Sequence, residues 1–153
     1  MDQPIAYTKE GRPLFDNTPT VVCMLVPDRR YLKLLVVRRA NMPGRGLLGL
    51  PGGYHMRDET WQEGGVREVR EETGYHVDPQ TAALQSLTTD EYGNNLVIAY
   101  ANAPEAFHLS AQDQSEVQEV LWLESALTHE DWAFPRHYEA AKRYFETGRR
   151  KWL

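Results

Sequence analysis

Three glutamates crowd one short stretch of the sequence, "GLPGGYHMRDETWQEGGVREVREETGY", residues 49–75. Glu68 lies three residues before Glu71 and four before Glu72, and both spacings place side chains on the same face of a helix. Like charges so placed repel each other by about 0.2–0.5 kcal/mol per pair, and the neighbouring Arg67 offsets only part of this repulsion. The face is therefore either a solvated surface of alternating charge or a site that holds a cation.

The two glycines before the helix favour the cation. Gly52 and Gly53 permit a sharp turn that leaves backbone carbonyl oxygens free to point at the start of the helix. Carboxylates and a carbonyl form a set of hard oxygen ligands, which suits Mg²⁺ or Mn²⁺. A cation held in this way can bridge a diphosphate, neutralise its charge and lower the pKa of a bound water. The stretch therefore indicates phosphate chemistry.

The same residues carry a resemblance to a known family. Gly53, Glu59 and the run from Arg67 to Tyr75, "REVREETGY", resemble the Nudix box, G-x5-E-x7-R-E-U-x-E-E-x-G-U, where U is a bulky aliphatic residue. Two features depart from the family pattern. Tyr75 takes the final aliphatic position, and residues 64–65 are glycines where the family more often has alanines. Two glycines inside a helix cost roughly 1 kcal/mol each, and they either permit close approach to a sheet or loosen the helix.

The resemblance implies a role for each matching position. Metal binding falls to the carboxylates of Glu68, Glu71 and Glu72, with a backbone carbonyl at Gly53 as a further ligand. Glu59 and Arg67 then have supporting catalytic roles: Glu59 supports the metal site, and Arg67 orients a box glutamate through a salt bridge.

The general base of the reaction often lies outside the box in this family. The run "SAQDQSEVQEV", residues 110–120, offers Asp113, Glu116 and Glu119, of which we favour Glu116. Glu71 is a second candidate within the box. The alternative for any one residue of the run is a solvated acidic loop.

The substrate is less well determined by the sequence. The run "RRANMPGRGLLGLPGG" resembles the segment before the box in relatives that cleave ADP-ribose or related dinucleotides. Arg38, Arg39 and Arg45 are candidates to bind the diphosphate, or they are ordinary surface arginines.

Tyr92 lies near the position at which dinucleoside polyphosphate hydrolases carry a tyrosine, and it is otherwise a packing residue. Phe134 could stack on a base or lie in the core. The five histidines show no metal-ligand spacing and are interpreted as ordinary structural residues.

Three hypotheses follow from these residues. The first is a Mg²⁺- or Mn²⁺-dependent pyrophosphohydrolase that cleaves a nucleoside diphosphate linked to another group, with ADP-ribose or a related dinucleotide as substrate. The second is the same chemistry on dinucleoside polyphosphates or nucleoside triphosphates. The third is a non-catalytic module that senses a nucleotide. The resemblance also makes a homodimer possible.

The rest of the chain predicts the elements that position these residues. A capping box, "TWQE", starts a helix at Thr60 that should run to about Thr73, with Gly74 as a left-handed stop. Strands are predicted at 20–26, 32–38, 84–92, 95–102 and 119–125, with a hairpin between the first two and another between the third and fourth. A second helix at 136–148 should bury Tyr138, Ala141 and Phe145. The prediction is an α/β fold, an α-β-α sandwich with a mixed β-sheet and two main helices.

Length and composition place limits on the function. The 153 residues suit one domain, residues 1–153, with its core at about 20–147. A net charge of -5 argues against binding to nucleic acid, which needs a basic surface.

The N-terminus lacks the pattern of a signal peptide, and no apolar run approaches the roughly 20 residues that span a bilayer. We therefore expect a soluble cytoplasmic protein without a membrane partner. The single cysteine, Cys23, lies in an apolar run and is interpreted as a buried, inert thiol.

Overall fold

Two helices enclose strands from two sheets. The computed structural model describes residues 1–28, 30–102 and 115–148. The helices are α1 (Trp61–Thr73) and α2 (Pro135–Glu146), and single-turn 3₁₀ helices lie at Pro79–Thr81 and His129–Asp131. The strands are β1 (Ala6–Tyr7), β2 (Pro13–Leu14), β3 (Thr20–Leu25), β4 (Leu34–Arg39), β5 (Leu48–Gly49), β6 (Gly52–Tyr54), β7 (Ala83–Thr89), β8 (Asn95–Tyr100) and β9 (Val117–Leu123).

The larger sheet is mixed, with the strand order β6-β3-β8-β7, and the smaller has the order β5-β4-β9. Strand β3 runs parallel to β8 and antiparallel to β6, while β4 is antiparallel to both of its neighbours. The first two strands form a separate small hairpin. None of the helices in the described ranges is both long and apolar enough to cross a membrane.

The core has two layers, one under each helix. Along β3, Val22 and Met24 face the layer that contains Val69 of α1, whereas Cys23 and Leu25 face the layer that contains Ala141 of α2. This alternation follows from the two-residue period of a strand. Because β3, β4 and β8 contribute side chains to both layers, the strands lie between the helices. The predicted α-β-α sandwich with a mixed sheet and two main helices is therefore confirmed.

The predicted hairpin between residues 20–26 and 32–38 is wrong in its pairing. The two segments are antiparallel only at their base, where Pro27 bridges Leu34 and the Leu35 amide donates to the Val26 carbonyl at 3.0 Å. Beyond this point β3 and β4 enter different sheets. The reason is that each strand is apolar on both faces. Each can therefore be buried beside other partners, and the sequence pattern does not select the pairing.

The predicted turn at residues 51–53 is also wrong, because Gly52 and Gly53 belong to strand β6. Gly52 pairs with Cys23, and the Pro51 carbonyl accepts from the Met24 amide at 2.9 Å. A Cβ at Gly52 would collide with the carbonyl oxygen of Val22. Glycine is therefore required here for close approach of two strands.

The predicted limits of α1 are confirmed. The Thr60 hydroxyl accepts from the Glu63 amide at 3.1 Å, and Gly74 ends the helix at a φ of 80° with its amide donating to the Arg70 carbonyl. The Glu63 carboxylate accepts from the Thr60 hydroxyl at 3.1 Å, so the reciprocal contact is made between the side chains.

The buried stripe of α2 is shifted from the predicted one. Ala141 is fully buried as expected, but the other buried residues are His137, Ala140 and Tyr144. Tyr138 and Phe145 are only partly buried and pack at the edge of the core.

Gly65 allows α1 to approach β3 closely, since a Cβ at this position would lie 2.5 Å from the Met24 sulfur and 2.9 Å from Val22 Cγ1. Overpacking costs about 1–3 kcal/mol, whereas alanine gains only about 1 kcal/mol over glycine in a helix. We therefore expect Gly65→Ala to lower the free energy of unfolding by about 1 kcal/mol, measured by urea denaturation. Arg70→Ala, on the exposed face of α1, is the control and should change it by less than about 0.5 kcal/mol. A more stable Gly65→Ala variant would contradict this account.

Candidate active site

One guanidinium group organises the carboxylates of α1. Arg67 donates to both oxygens of Glu59, at 3.0 and 2.8 Å. Its Nη1 donates to Glu68 at 2.9 Å and to Glu71 at 3.2 Å, and its Nη2 also donates to the Tyr54 carbonyl at 3.1 Å. These bonds raise the pKa of Arg67 above its ordinary value. Arg67 therefore remains charged and connects the loop before α1, the strand β6 and two glutamates.

Glu59 is the main partner of Arg67. The two bonds from the guanidinium lower the pKa of Glu59 to about 2, and the Met56 amide contributes by donating to Glu59 at 2.9 Å. The Glu59 backbone carbonyl contacts His55 Nε2 at 2.6 Å. The ionised Glu59 carboxylate thus helps to hold the short loop between β6 and α1 together.

Glu68 lies in a space that a glycine leaves open. A Cβ at Gly53 would lie 2.5 Å from the carboxyl carbon of Glu68 and 2.6 and 2.7 Å from its two oxygens. Burial raises the pKa of Glu68, and the Arg67 hydrogen bond opposes this rise only in part. The charges of Glu71 and Glu116 raise it further. The sequence therefore needs a glycine at position 53 for this carboxylate to reach the sheet.

Glu72 is the most deeply buried of the three glutamates, with 7% of its surface exposed. Its Oε2 accepts one long hydrogen bond from the Gly52 amide, at 3.3 Å. Burial raises its pKa well above the ordinary value, and the charges of Glu68 and Glu116 raise it further. The protein thus holds Glu72 in a buried position where the neighbouring carboxylates of Glu68 and Glu116 disfavour its charged form.

Glu116 lines the same cleft as Glu68 and Glu72. It immediately precedes β9, and its backbone carbonyl accepts from the Ala40 amide at 2.9 Å. Its charge acts on both Glu68 and Glu72. Of the other two candidates for the base, Glu119 forms an ion pair with Arg38 at 3.1 Å, and Asp113 lies outside the described residues.

The donor set fits a divalent cation that shares its ligands with a substrate. Glu68 supplies a half-buried carboxylate and Glu72 a buried one, and a nearby positive charge would lower their raised pKa values. Among the described residues, no three His, Cys, Asp or Glu side chains are already grouped to enclose an ion. Glu71 points toward Arg67 with 49% of its side chain exposed, and it does not line the cleft. Mg²⁺ commonly uses one or two carboxylates and completes its shell with water and phosphate oxygens, which suits this arrangement.

The carboxylates line one wall of a cleft of about 760 Å³. This volume lies in the range that holds small ligands and cofactors. The cleft is lined by residues from β3, β4, β6, α1, the β7–β8 turn and the start of α2; those that matter for chemistry are Gly53, Glu68, Glu72, Glu116, Arg39, Arg136, Tyr92 and Phe134.

The three arginines proposed from the sequence occupy different places. Arg39 lines the cleft, and its Nε donates to the Pro43 carbonyl at 2.8 Å. Arg38 pairs with Glu119 and donates to the Gly46 carbonyl, and the Nε of Arg45 donates to the Ala40 carbonyl. Neither Arg38 nor Arg45 lines the cleft. Successive side chains of a strand point to opposite faces, which separates Arg38 from its neighbour Arg39 on β4.

Tyr92 and Phe134 also line the cleft and form what we call its aromatic wall. Tyr92, 58% exposed in the β7–β8 turn, meets Phe134 edge to face with ring centroids 6.2 Å apart. The guanidinium of Arg39 lies over the Phe134 ring at 4.9 Å. The sequence did not single out Arg136, which also lines the cleft and lies 3.8 Å from Glu91.

His137 and Cys23 meet beneath this wall. The Leu50 amide donates to His137 Nδ1 at 3.1 Å, and His137 Nε2 lies 3.5 Å from the Cys23 sulfur. Burial lowers the pKa of His137 to about 3, so the ring is neutral. Burial, together with the charges of Glu72 and Glu68, raises the pKa of Cys23, which agrees with an inert thiol. The sequence interpretation of the histidines missed His137, although its four-residue spacing from the buried Ala141 was a usable signal.

Comparison with known proteins identifies the family. The sequence profile of the NUDIX domain matches residues 16–144. The chain belongs to the NUDIX domain family. A curated ADP-ribose pyrophosphatase from Methanocaldococcus jannaschii is 48% identical over 42 residues, which are 28% of this chain and 25% of that protein. The match to this NUDIX relative thus spans only about a quarter of its length.

Two solved structures show the same NUDIX fold. A NUDIX hydrolase from Nitrosomonas europaea superimposes with a TM-score of 0.71 at 23% identity, over 94% of this chain and 80% of that one. The NUDIX domain of Shewanella oneidensis NrtR, solved in complex with ADP ribose, gives a TM-score of 0.68 at 23% identity, over 91% of each chain.

The bonds between Glu59 and Arg67 predict a pH-dependent stability. Since the pKa of Glu59 is lower in the folded chain, its stabilisation is present above the ordinary carboxyl pKa near 4.5 and is lost as the pH falls toward 2. We expect Glu59→Gln to lower the free energy of unfolding by about 2 kcal/mol at pH 7, the usual worth of a charged hydrogen bond. The difference from the unchanged protein should shrink between pH 5 and pH 3 in urea denaturation. Glu10→Gln, remote and exposed, is the control, and a difference that does not depend on pH would refute the assignment.

Proposed function

We propose that the chain is a Mg²⁺- or Mn²⁺-dependent pyrophosphohydrolase that cleaves a nucleoside diphosphate linked to another group, with ADP-ribose as the first candidate. The observation that carries the proposal is the pair of half-buried Glu68 and buried Glu72, which have raised pKa values and line one cleft together with Glu116. Holding these two carboxylates close together lowers the stability of the fold, and the binding of a cation between them would offset that loss.

The comparisons support the choice of substrate. The curated relative that matches over 42 residues is named as an ADP-ribose pyrophosphatase, and the NUDIX domain of NrtR was solved with ADP ribose. The aromatic wall of the cleft suits a nucleobase, since Phe134 and Tyr92 offer apolar ring surface. Arg39 and Arg136 supply the positive charge that a diphosphate needs in a chain of net charge -5.

Different residues of this chain have different roles in the proposed reaction. Glu68, Glu72 and the Gly53 carbonyl would hold the cation, with Glu71 close by on α1. When bound, the cation supplies charge neutralisation at the phosphate oxygens and lowers the pKa of a water. Arg67 keeps Glu68 in place, and Glu59 in turn fixes Arg67 through two bonds.

Glu116 is the proposed general base. It lines the same cleft as Glu68 and Glu72, and its charge acts on both of them. In this role it takes a proton from the attacking water as the water oxygen bonds to phosphorus and the bond to the leaving phosphate breaks. Glu71 is the alternative base, and its exposed carboxylate is engaged by Arg67. Among the arginines, Arg39 is the phosphate ligand that the cleft favours, since Arg38 and Arg45 are bonded elsewhere.

The direct test is a panel of ADP-ribose, a dinucleoside tetraphosphate and a nucleoside triphosphate, each with and without Mg²⁺, with the products separated by ion-exchange chromatography. We expect AMP and ribose 5-phosphate from ADP-ribose, and only with the cation. Preferred cleavage of the tetraphosphate or triphosphate would support the second hypothesis. Micromolar binding without turnover of any compound would support a nucleotide sensor.

Glu72→Gln is the matched variant for this panel. The amide oxygen can still accept from the Gly52 amide, while the buried charge is removed. We expect turnover to fall by at least about 100-fold, beyond the 10–100-fold typical of residues that only support metal ligands. Thermal stability without metal should be equal or higher, because the buried charge is gone. Full activity in this variant would overturn the assignment of the metal site.

The aromatic wall gives a separate prediction. Stacking on a base is worth about 1–3 kcal/mol, so Phe134→Leu should raise KM for the preferred substrate by about tenfold while kcat changes less. Tyr138→Leu, one turn further along α2 and outside the cleft lining, is the control and should leave KM unchanged. An unchanged KM in the Phe134 variant would remove this residue from the binding surface.

A further inference from the structure

The segment between β5 and β6 is fixed at three successive residues. The Leu50 amide donates to His137 Nδ1 at 3.1 Å, the Pro51 carbonyl accepts from the Met24 amide at 2.9 Å, and the Gly52 amide donates to Glu72 at 3.3 Å. In the described part of the chain, Glu72 accepts one hydrogen bond, from the Gly52 amide. Gly52 lies two residues after Leu50, whose amide is bound by His137.

The same segment is tied to the residues before α2. The Ala133 amide donates to the Leu48 carbonyl at 2.9 Å, and Leu48 forms a parallel bridge with Trp132. Together with the bond that the Leu50 amide donates to His137, these contacts join Leu48 and Leu50 to α2 and to the residues just before it. Movement of the β5–β6 segment relative to α2 would break buried hydrogen bonds, which costs about 1–3 kcal/mol for each group left unpaired.

The His137 imidazole can accept the hydrogen bond from Leu50. A backbone amide can only donate, so Nδ1 must carry a lone pair, and the proton of the neutral imidazole lies on Nε2. That nitrogen faces the Cys23 sulfur at 3.5 Å, which can accept weakly. His137 and Leu50 are both buried, with 7% and 4% of their surfaces exposed, so a Leu50 amide that lost its acceptor would be poorly hydrated.

We infer that His137 is a positioning residue of the active site, which holds the Leu50–Gly52 segment so that the Gly52 amide meets Glu72. Its proposed effect on Glu72 passes through the backbone, by way of the Leu50 amide. The inference rests on the proposed function for its kinetic readout, and its structural readout is independent of that function.

Three substitutions separate the acceptor from the volume of the ring. In His137→Asn the side-chain oxygen takes the position of Nδ1, two bonds from Cβ, and can accept from Leu50. His137→Leu retains apolar bulk without an acceptor. His137→Gln places its polar atoms near Nε2 and leaves the Leu50 amide without its partner, so it serves if the Leu variant does not fold.

The structural readout is hydrogen exchange of the Leu50 amide by NMR, together with Mn²⁺ affinity by calorimetry. We expect the Asn variant to keep slow exchange and to bind Mn²⁺ within about threefold of the unchanged protein. The Leu and Gln variants should exchange faster and lose about 10–100-fold in affinity, the range for partners that orient metal ligands.

The kinetic readout is measured on the panel compound that is turned over fastest. In the Leu and Gln variants we expect kcat to fall and the Mg²⁺ concentration needed for activity to rise, while KM at saturating Mg²⁺ changes little. The Asn variant should restore kcat. Equal losses in the Asn and Leu variants, or a folded Leu or Gln variant with unchanged Mn²⁺ affinity, would overturn the inference. If the unchanged protein turns over nothing, the proposed function fails, and exchange and Mn²⁺ affinity still decide the role of His137.

Discussion

The site depends on a buried repulsion between carboxylates. Glu68 and Glu72 lie on one face of α1; burial raises the pKa of both, and the charge of Glu68 raises the pKa of Glu72 further. Arg67 compensates only Glu68, and it does so while bound to Glu59 by two hydrogen bonds. Glu72 has no guanidinium of its own and receives a single long bond from the Gly52 backbone. The protein therefore tolerates unfavourable electrostatics at one place, and the surrounding contacts hold that place rigid.

Glycines make this arrangement sterically possible. Gly53 leaves the space that the Glu68 carboxylate occupies, and Gly52 lets β6 lie against β3 without a collision. Gly65 brings the helix itself close to Met24 and Val22. Each glycine thus removes a Cβ at a different contact between α1, β6 and β3. The helix can carry its glutamates into the edge of the sheet because all three contacts are short.

Sequence reasoning predicted what is local and repetitive. The limits of α1 followed from Thr60 and Gly74, since capping needs only neighbouring residues. The pairing of β3 and β4 did not follow, because strands that are apolar on both faces have no preferred neighbour in the sequence. The face of α2 was shifted for a related reason: the stripes through His137 and Tyr138 both include Ala141, and periodicity alone does not separate them. Similarly, nothing local showed that Arg39 would enter the cleft while Arg38 bonds to Glu119.

The environment of the one cysteine bears on how the protein meets oxidants. Cys23 is buried, and its neighbours Glu72 and Glu68 keep it in the protonated form. Alkylating reagents and peroxides attack the thiolate, and they need access to the sulfur. Because Cys23 offers neither a thiolate nor an exposed sulfur, the carboxylates beside it should not depend on a reductant that protects this thiol.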